Sequence, residues 1–334
     1  MTLSVAPVAS EPRRSFWSPP MALGRIAALR LVGCVFVLLD IVWWTPWVRP
    51  HREIEAFYQP LVIGRLLHLP TPTPLVVDAV GVGLVLAALA GLVVVLAPRT
   101  GRAPGWLSGR WPTTAAGVAL ALLYGEWMVI AMSYGKVDHD RFALLVMLAV
   151  LATVGPARLG DRSRSEAAGW AVRCVQVAVV ATYLLAAVAK FRFGGFGWVN
   201  GSTLVWAIVR RGTPLGDPLL HVPQLLHLAQ WGIVAIELCS PLLLLFDHLA
   251  GAGDHLAGSA SDDRLAARAA RARDVYLAGF LSFHVATFAT ISILFLPHVV
   301  CLLAFVPLER VHGGWRRGWQ RQRLSRRPLT QPTS

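Results

Sequence analysis

The sequence predicts an all-α integral membrane protein, a polytopic bundle of about eight transmembrane helices with an outer interfacial segment. Three observations predict it. Hydrophobic residues make up 55% of the 334 and charged residues only 15%, whereas a soluble domain carries about a quarter of its residues as charges. Long apolar runs recur along the chain, and Lys and Arg gather in alternate connections between them.

Taken in order, residues 1–20 are rich in Pro and Ser and read as a disordered tail. The first apolar run, 25–46, lacks a small-residue cleavage site and should act as a signal anchor. Residues 79–98 form the clearest span, uncharged over a length that crosses about 30 Å of hydrocarbon as a helix. Further spans are expected at 113–134, 142–155, 170–190 and 224–246. Between Asp274 and Glu309 an uncharged stretch is interrupted by Pro297, which predicts a full span followed by a shorter one at 298–309. The transmembrane domain thus covers 22–310, and 311–334 is a basic, disordered tail.

Numbering the spans in this way puts 22 of the 31 Lys and Arg on one side and 9 on the other. Positive-inside insertion then places both termini in the cytoplasm of a multi-pass cell-membrane protein, such as one of a bacterial inner membrane. The net charge of +13 reports that orientation, and no nucleic-acid partner is expected. Membrane lipids are the expected surroundings. Arg264, Arg268 and Arg271 share one helical face suited to anionic headgroups. Cys34, Cys174, Cys239 and Cys301 lie in apolar runs without a CxxC pair and read as small buried hydrophobes. His248 and His255 sit in a repeated Asp-His-Leu-Ala-Gly. A polar linker accounts for them, and no metal is expected.

Ionisable residues inside the spans carry the chemical signal, because a charge near the bilayer centre costs at least about 2.5 kcal/mol and must face the bundle interior. They are Asp40, Glu126, Glu237 and His284, with Lys190 at the outer end of its helix. The expectation is that they converge on one polar cavity open to the outside, although an interhelical clamp explains each one singly. After Lys190 comes FRFGGFGWVNGSTLVWAIVRRGTP, Gly-rich and aromatic, a segment fit to turn back at the interface as an apolar lid. A lysine beside such a lid is expected to lose water and become available as a general base. On the same face SYGKVDHDRF sets His139 between two aspartates, able to orient or relay a proton.

At these residues the chain resembles the HTTM (horizontally transferred transmembrane) family, related to the transmembrane part of vitamin K-dependent gamma-carboxylase. The resemblance rests on YLLAAVAKFRFGGFGWVNGSTL (183–204), DHDRFALLVMLAVLA (138–152) and LSFHVATFATISILFLP (281–297), in that family's order. It implies that Lys190 is the base that deprotonates a hydroquinone and that His139 is the family histidine. Tyr183, Trp198, Gly201 and His284 would match the tyrosine, the W-x-x-G and the later Phe-His; Glu126 and Glu237, singled out by their place within the spans and not by the resemblance, are expected as further ligand-binding residues. The implied cofactor is a reduced quinone such as vitamin K hydroquinone, and the implied activity is that of a carboxylase- or epoxidase-like lyase or oxidoreductase. Ala189 stands where the family has the first of two lysines, and the sequence shows no large peptide-binding extramembrane domain. Quinone or lipid chemistry is therefore expected rather than peptide carboxylation. The alternative is a non-enzymatic membrane factor for maturation, export or immunity of a small secreted peptide. No inverted repeat suggests a transporter, and no phosphate loop, dinucleotide fingerprint or nucleophile elbow occurs.

Overall fold

In hydrocarbon a helix satisfies every backbone N–H and C=O internally, so long apolar runs fold as helices whatever their side-chain propensities. The computed structural model describes residues 15–96, 105–252 and 260–310. The basic tail, residues 1–14 and His255 lie outside the described residues. Helix α1 (Leu23–Leu39) continues as a π-helical turn, Asp40–Trp44, to make a 22-residue apolar unit. With α3 (Pro74–Leu96), α4 (Arg110–Met132), α6 (Glu166–Gly194) and α10 (Ala260–Ile291) it gives, among the described residues, five helices long and apolar enough to cross a membrane. Helices α8 (Pro223–Leu238) and α9 (Pro241–Ala252) qualify as a sixth if taken together, across a bend of 49°.

Two expected spans are shorter than a crossing. Helix α5 (Phe142–Thr153) has 12 residues, about 18 Å against about 30 Å of hydrocarbon. Helix α11 (Leu296–Cys301) with its 3-10 continuation is shorter still. Short helices α2 (Val62–Leu66) and α7 (Ser202–Arg211) complete the set, and strand β1 (Met21–Ala22) pairs antiparallel with β2 (Arg164–Ser165). The arginine-bearing stretch 264–273, read from sequence as a helical face within the connection between two spans, is helical and lies in the first half of α10, continuous with its apolar half.

Small residues let the helices approach closely. A Cβ on Gly91 would lie 2.6 Å from Cys34 Sγ, and one on Gly117 would lie 2.9 Å from Ala152 Cβ. Arg30 donates to the carbonyls of Leu151, Val154 and Gly155, capping the C-terminal end of α5 beside the start of α1. That satisfies carbonyls which have no partner within the helix.

One end of the bundle is tied by arginines. Arg25 forms a fork on Glu309 (3.1 and 3.0 Å), while Arg173 and Arg273 both reach Asp247 at 3.4 Å. Gln176 donates to Asp247 and to the Ala304 carbonyl, both at 3.1 Å. Burial alone would push the Glu309 carboxyl up, but the hydrogen bonds and charge of Arg25 outweigh it and hold Glu309 below its ordinary value of 4.5. Its stabilising contribution is therefore present above about pH 4.5 and lost as pH falls through the lower folded value. Wild-type protein should lose more thermal stability than Glu309→Gln on titration from about pH 6 to about pH 3.

Residues 15–20, assigned to the tail by composition, lie against this same end. Phe16 has the Arg173 guanidinium 4.6 Å over its ring, and the Pro19 carbonyl occupies the place a Cβ would take on Gly169. Gly169→Ala should free the segment from α6, read as faster proteolytic trimming of the N-terminus with the bundle's unfolding nearly unchanged.

Candidate functional site

At the opposite end, α6, α7, α8, α10, α11 and the turn His139–Arg141 surround a cavity of about 710 Å³, within the size range of small-molecule sites. Its walls are mainly apolar, with Leu204, Ile208, Leu226 and Phe283 among them. The lid is α7, whose Ile208 packs with Leu226 and Ile291, while Trp206 and Val209 on its other face are exposed. Gly195 (φ +56°) and Gly201 (φ +94°) make the turns between α6 and α7, in conformations a side chain resists. Thr213 pins the end of the lid segment by donating to the Ala289 carbonyl of α10.

The polar groups enter this cavity from separate helices. Lys190, in the last turns of α6, gives two N–H bonds to Glu237, at 2.7 Å to Oε1 and 2.6 Å to Oε2. The lysine side chain keeps 20% exposure and the glutamate 5%, so the cation is the partner that reaches outward. Nζ lies 5.1 Å over the Trp198 ring, a cation–π contact. Glu237 is held in the last turn of α8 by the bend that follows, where Ser240 Oγ donates to the Val180 carbonyl of α6 (3.2 Å) and Tyr276 OH to the Ile236 carbonyl (3.0 Å). Gln230 of α8 donates to the Trp198 carbonyl and fixes the tryptophan's strand of chain.

Two turns deeper on α6, Tyr183 shares a 2.7 Å hydrogen bond with His284 Nε2 and stacks on Phe280 at 3.9 Å. His284 Nδ1 and both ring nitrogens of His298 are buried without a hydrogen-bond partner among the described residues. The sequence reading passed over His298. Its signal was a histidine directly after Pro297, which is the natural first residue of a new helix.

Of the residues singled out from sequence, Lys190, His139, Trp198, Tyr183, His284 and Glu237 all line this cavity. His139 stands exposed at its rim, and the partner of Lys190 is Glu237. Asp140, next to His139, has its carboxyl pushed up by burial, with Arg141 opposing. Gly201 shapes the turn that starts α7, and its missing Cβ faces His227 at 3.5 Å. Glu126 is not among the cavity residues; both its oxygens are buried without a hydrogen-bond partner among the described residues. Asp40 is also elsewhere. It accepts from Arg141 at 2.7 Å, from Tyr124 OH at 3.0 Å and from Thr45 at 3.3 Å, a buried network beside the cavity rim. The single convergent cavity expected from sequence therefore holds Glu237, His284 and Lys190 but not Asp40 or Glu126. Among the described residues no group of three or more His, Cys, Asp or Glu is arranged to hold a metal ion.

Fold and site together define a helical protein with several helices long and apolar enough to cross a membrane and an apolar cavity holding a buried ion pair. Comparison with protein-family models, with curated proteins and with solved structures finds no match to any of them.

Proposed function

We propose that the chain is an HTTM-like membrane protein that binds a ring-bearing amphiphile of the reduced-quinone class in this cavity and takes its hydroxyl proton through Lys190. The observation that carries the reading is the bidentate pair of Lys190 with Glu237 opening into an apolar cavity of about 710 Å³. An ammonium has three N–H groups; two are given to Glu237, which leaves one for a ligand. For Lys190 to act as base, its proton passes to the Glu237 carboxylate, leaving amine and carboxylic acid. The amine lone pair then takes the ligand's hydroxyl proton; the O–H bond breaks as the N–H bond forms, and the oxyanion is left beside the restored ammonium. Dry walls strengthen that pairing and keep water from the anion. Trp198 offers a ring face near the amine, and the orphaned nitrogens of His284 and His298 offer polar contacts to a ligand oxygen. A hydroquinone, when bound, supplies the reducing electrons.

The same reading sets the cavity end outside and the arginine-tied end in the cytoplasm, with eight passes of the chain between them. Support comes from the cap of Arg30 on the far end of α5 and from the fork of Arg25 on Glu309 after α11. Both short helices thus return the chain to the arginine end. Protein purified in mild detergent should carry an isoprenoid quinone detectable by mass spectrometry; recovery of bulk phospholipid alone would remove the reading. It would then favour a non-enzymatic factor for a small secreted peptide, in which the already satisfied pair of Lys190 and Glu237 serves as an interhelical clamp.

A further inference from the structure

Beyond the amine, the cavity contains a second polar element that the proton transfer does not use. His298 is 2% exposed, lines the cavity, and has neither ring nitrogen hydrogen-bonded among the described residues. Buried polar atoms in proteins are almost always paired, and those that are not mark a place for a missing partner. The ring is also fixed in place. Pro297 lies in the first turn of α11, the His298 backbone N–H donates to the Phe295 carbonyl at 3.1 Å, and the imidazole meets the Tyr183 ring edge-on at 4.4 Å between centroids. His284, whose Nδ1 is likewise unpartnered, lies 6.2 Å away between ring centroids. Tyr183 and Lys190 are two helical turns apart on α6, about 10 Å along its axis. Ala186, Ile233 and Phe283 supply apolar wall to the same cavity.

We propose that His298 is the second pole of this site, binding a hydroxyl or carbonyl oxygen at the end of the ligand ring opposite the oxygen that meets Lys190, so that the cavity selects rings oxygenated at both ends. The inference rests on the ring-binding reading above and adds the ligand's second functional group. A neutral imidazole carries one N–H donor and one acceptor nitrogen. It can therefore accept from a hydroxyl or donate to a carbonyl, and it accommodates both the reduced and the oxidised form of such a ring without changing its own charge. The two walls of the site then do different work: Lys190 with Glu237 handles the proton, and His298 sets register.

The test uses full-length protein in detergent and two probes, naphthohydroquinone with its para hydroxyls and alpha-naphthol with one. Wild type should bind the dihydroxy probe at least about tenfold more tightly than the monohydroxy one. His298→Phe should abolish the preference between the two probes by weakening the dihydroxy one, and His298→Gln, which keeps a donor and an acceptor, should retain part of the preference. Lys190→Met should weaken both probes together. Equal affinities in wild type, or a preference that survives His298→Phe, would overturn the second pole and leave the ring site standing. Failure of wild type to bind either probe would overturn the ring site and, with it, the role of His298. If His298→Phe fails to fold, the wild-type comparison and His298→Gln decide the matter alone.

Discussion

Lys190→Met should lower the stability of the protein by about 3 kcal/mol, since removing one partner of a buried pair leaves the other charge uncompensated. The charge left behind is Glu237, 5% exposed and with no second cation paired to it among the described residues. Adding Glu237→Gln in the same chain should restore most of the loss, because the unpaired charge is gone and an amide of the same shape remains. Catalytic competence should behave differently. Neither the single nor the double variant should form the ligand anion, which is read from the absorbance of the deprotonated hydroquinone. Thermal unfolding at fixed detergent concentration measures the first effect and separates the clamp from the base. A double variant that recovers both stability and anion formation would eliminate Lys190 as the proton acceptor.

Arg141→Leu should cost still more, about 3 to 5 kcal/mol, because it strips the cation from a carboxylate that is wholly buried. Asp40 is 0% exposed, its Oδ1 already has no hydrogen-bond partner among the described residues, and Tyr124 OH shares both Asp40 and Arg141. The companion variant Asp40→Leu with Arg141→Leu should recover much of the loss, as replacing a whole buried pair by apolar groups often does. Arg141 also ends the turn that brings His139 and Asp140 to the cavity rim. Ligand affinity should therefore fall in Arg141→Leu even at temperatures where the bundle stays folded. A single variant as stable as wild type would show that the network around Asp40 contributes nothing to folding.

How far the site was legible follows from one rule, that an ionisable group within an apolar span must turn away from lipid. It singled out Lys190, Glu237 and His284, which do line one cavity, and it also singled out Asp40 and Glu126, which do not. Facing the interior does not say which interior. On α4, Tyr124 and Trp127 point to Asp40 and Thr45, and helical spacing turns Glu126 to another side of the helix. Arg141 and Asp247 stood in stretches read as polar turns and linker, yet both are buried by residues far away in the chain. The arginines counted for orientation include Arg25, Arg30 and Arg173, and each of these is engaged in a tie between helices.

The amino-acid sequence by itself determined that this chain is helical and suited to a membrane, because apolar length and sparse charge leave the backbone no other way to satisfy its hydrogen bonds. It also marked Lys190 and the glycine- and aromatic-rich segment behind it as chemically unusual. Only the tertiary structure decided who partners whom. The bend after Glu237 that delivers a carboxylate to the lysine, the return of α11 that carries His298 beside Tyr183, and the separation of Asp40 into its own network all depend on contacts between helices distant in sequence. Local periodicity carries no information about such pairings, since it constrains which face a residue shows and not which neighbour that face meets.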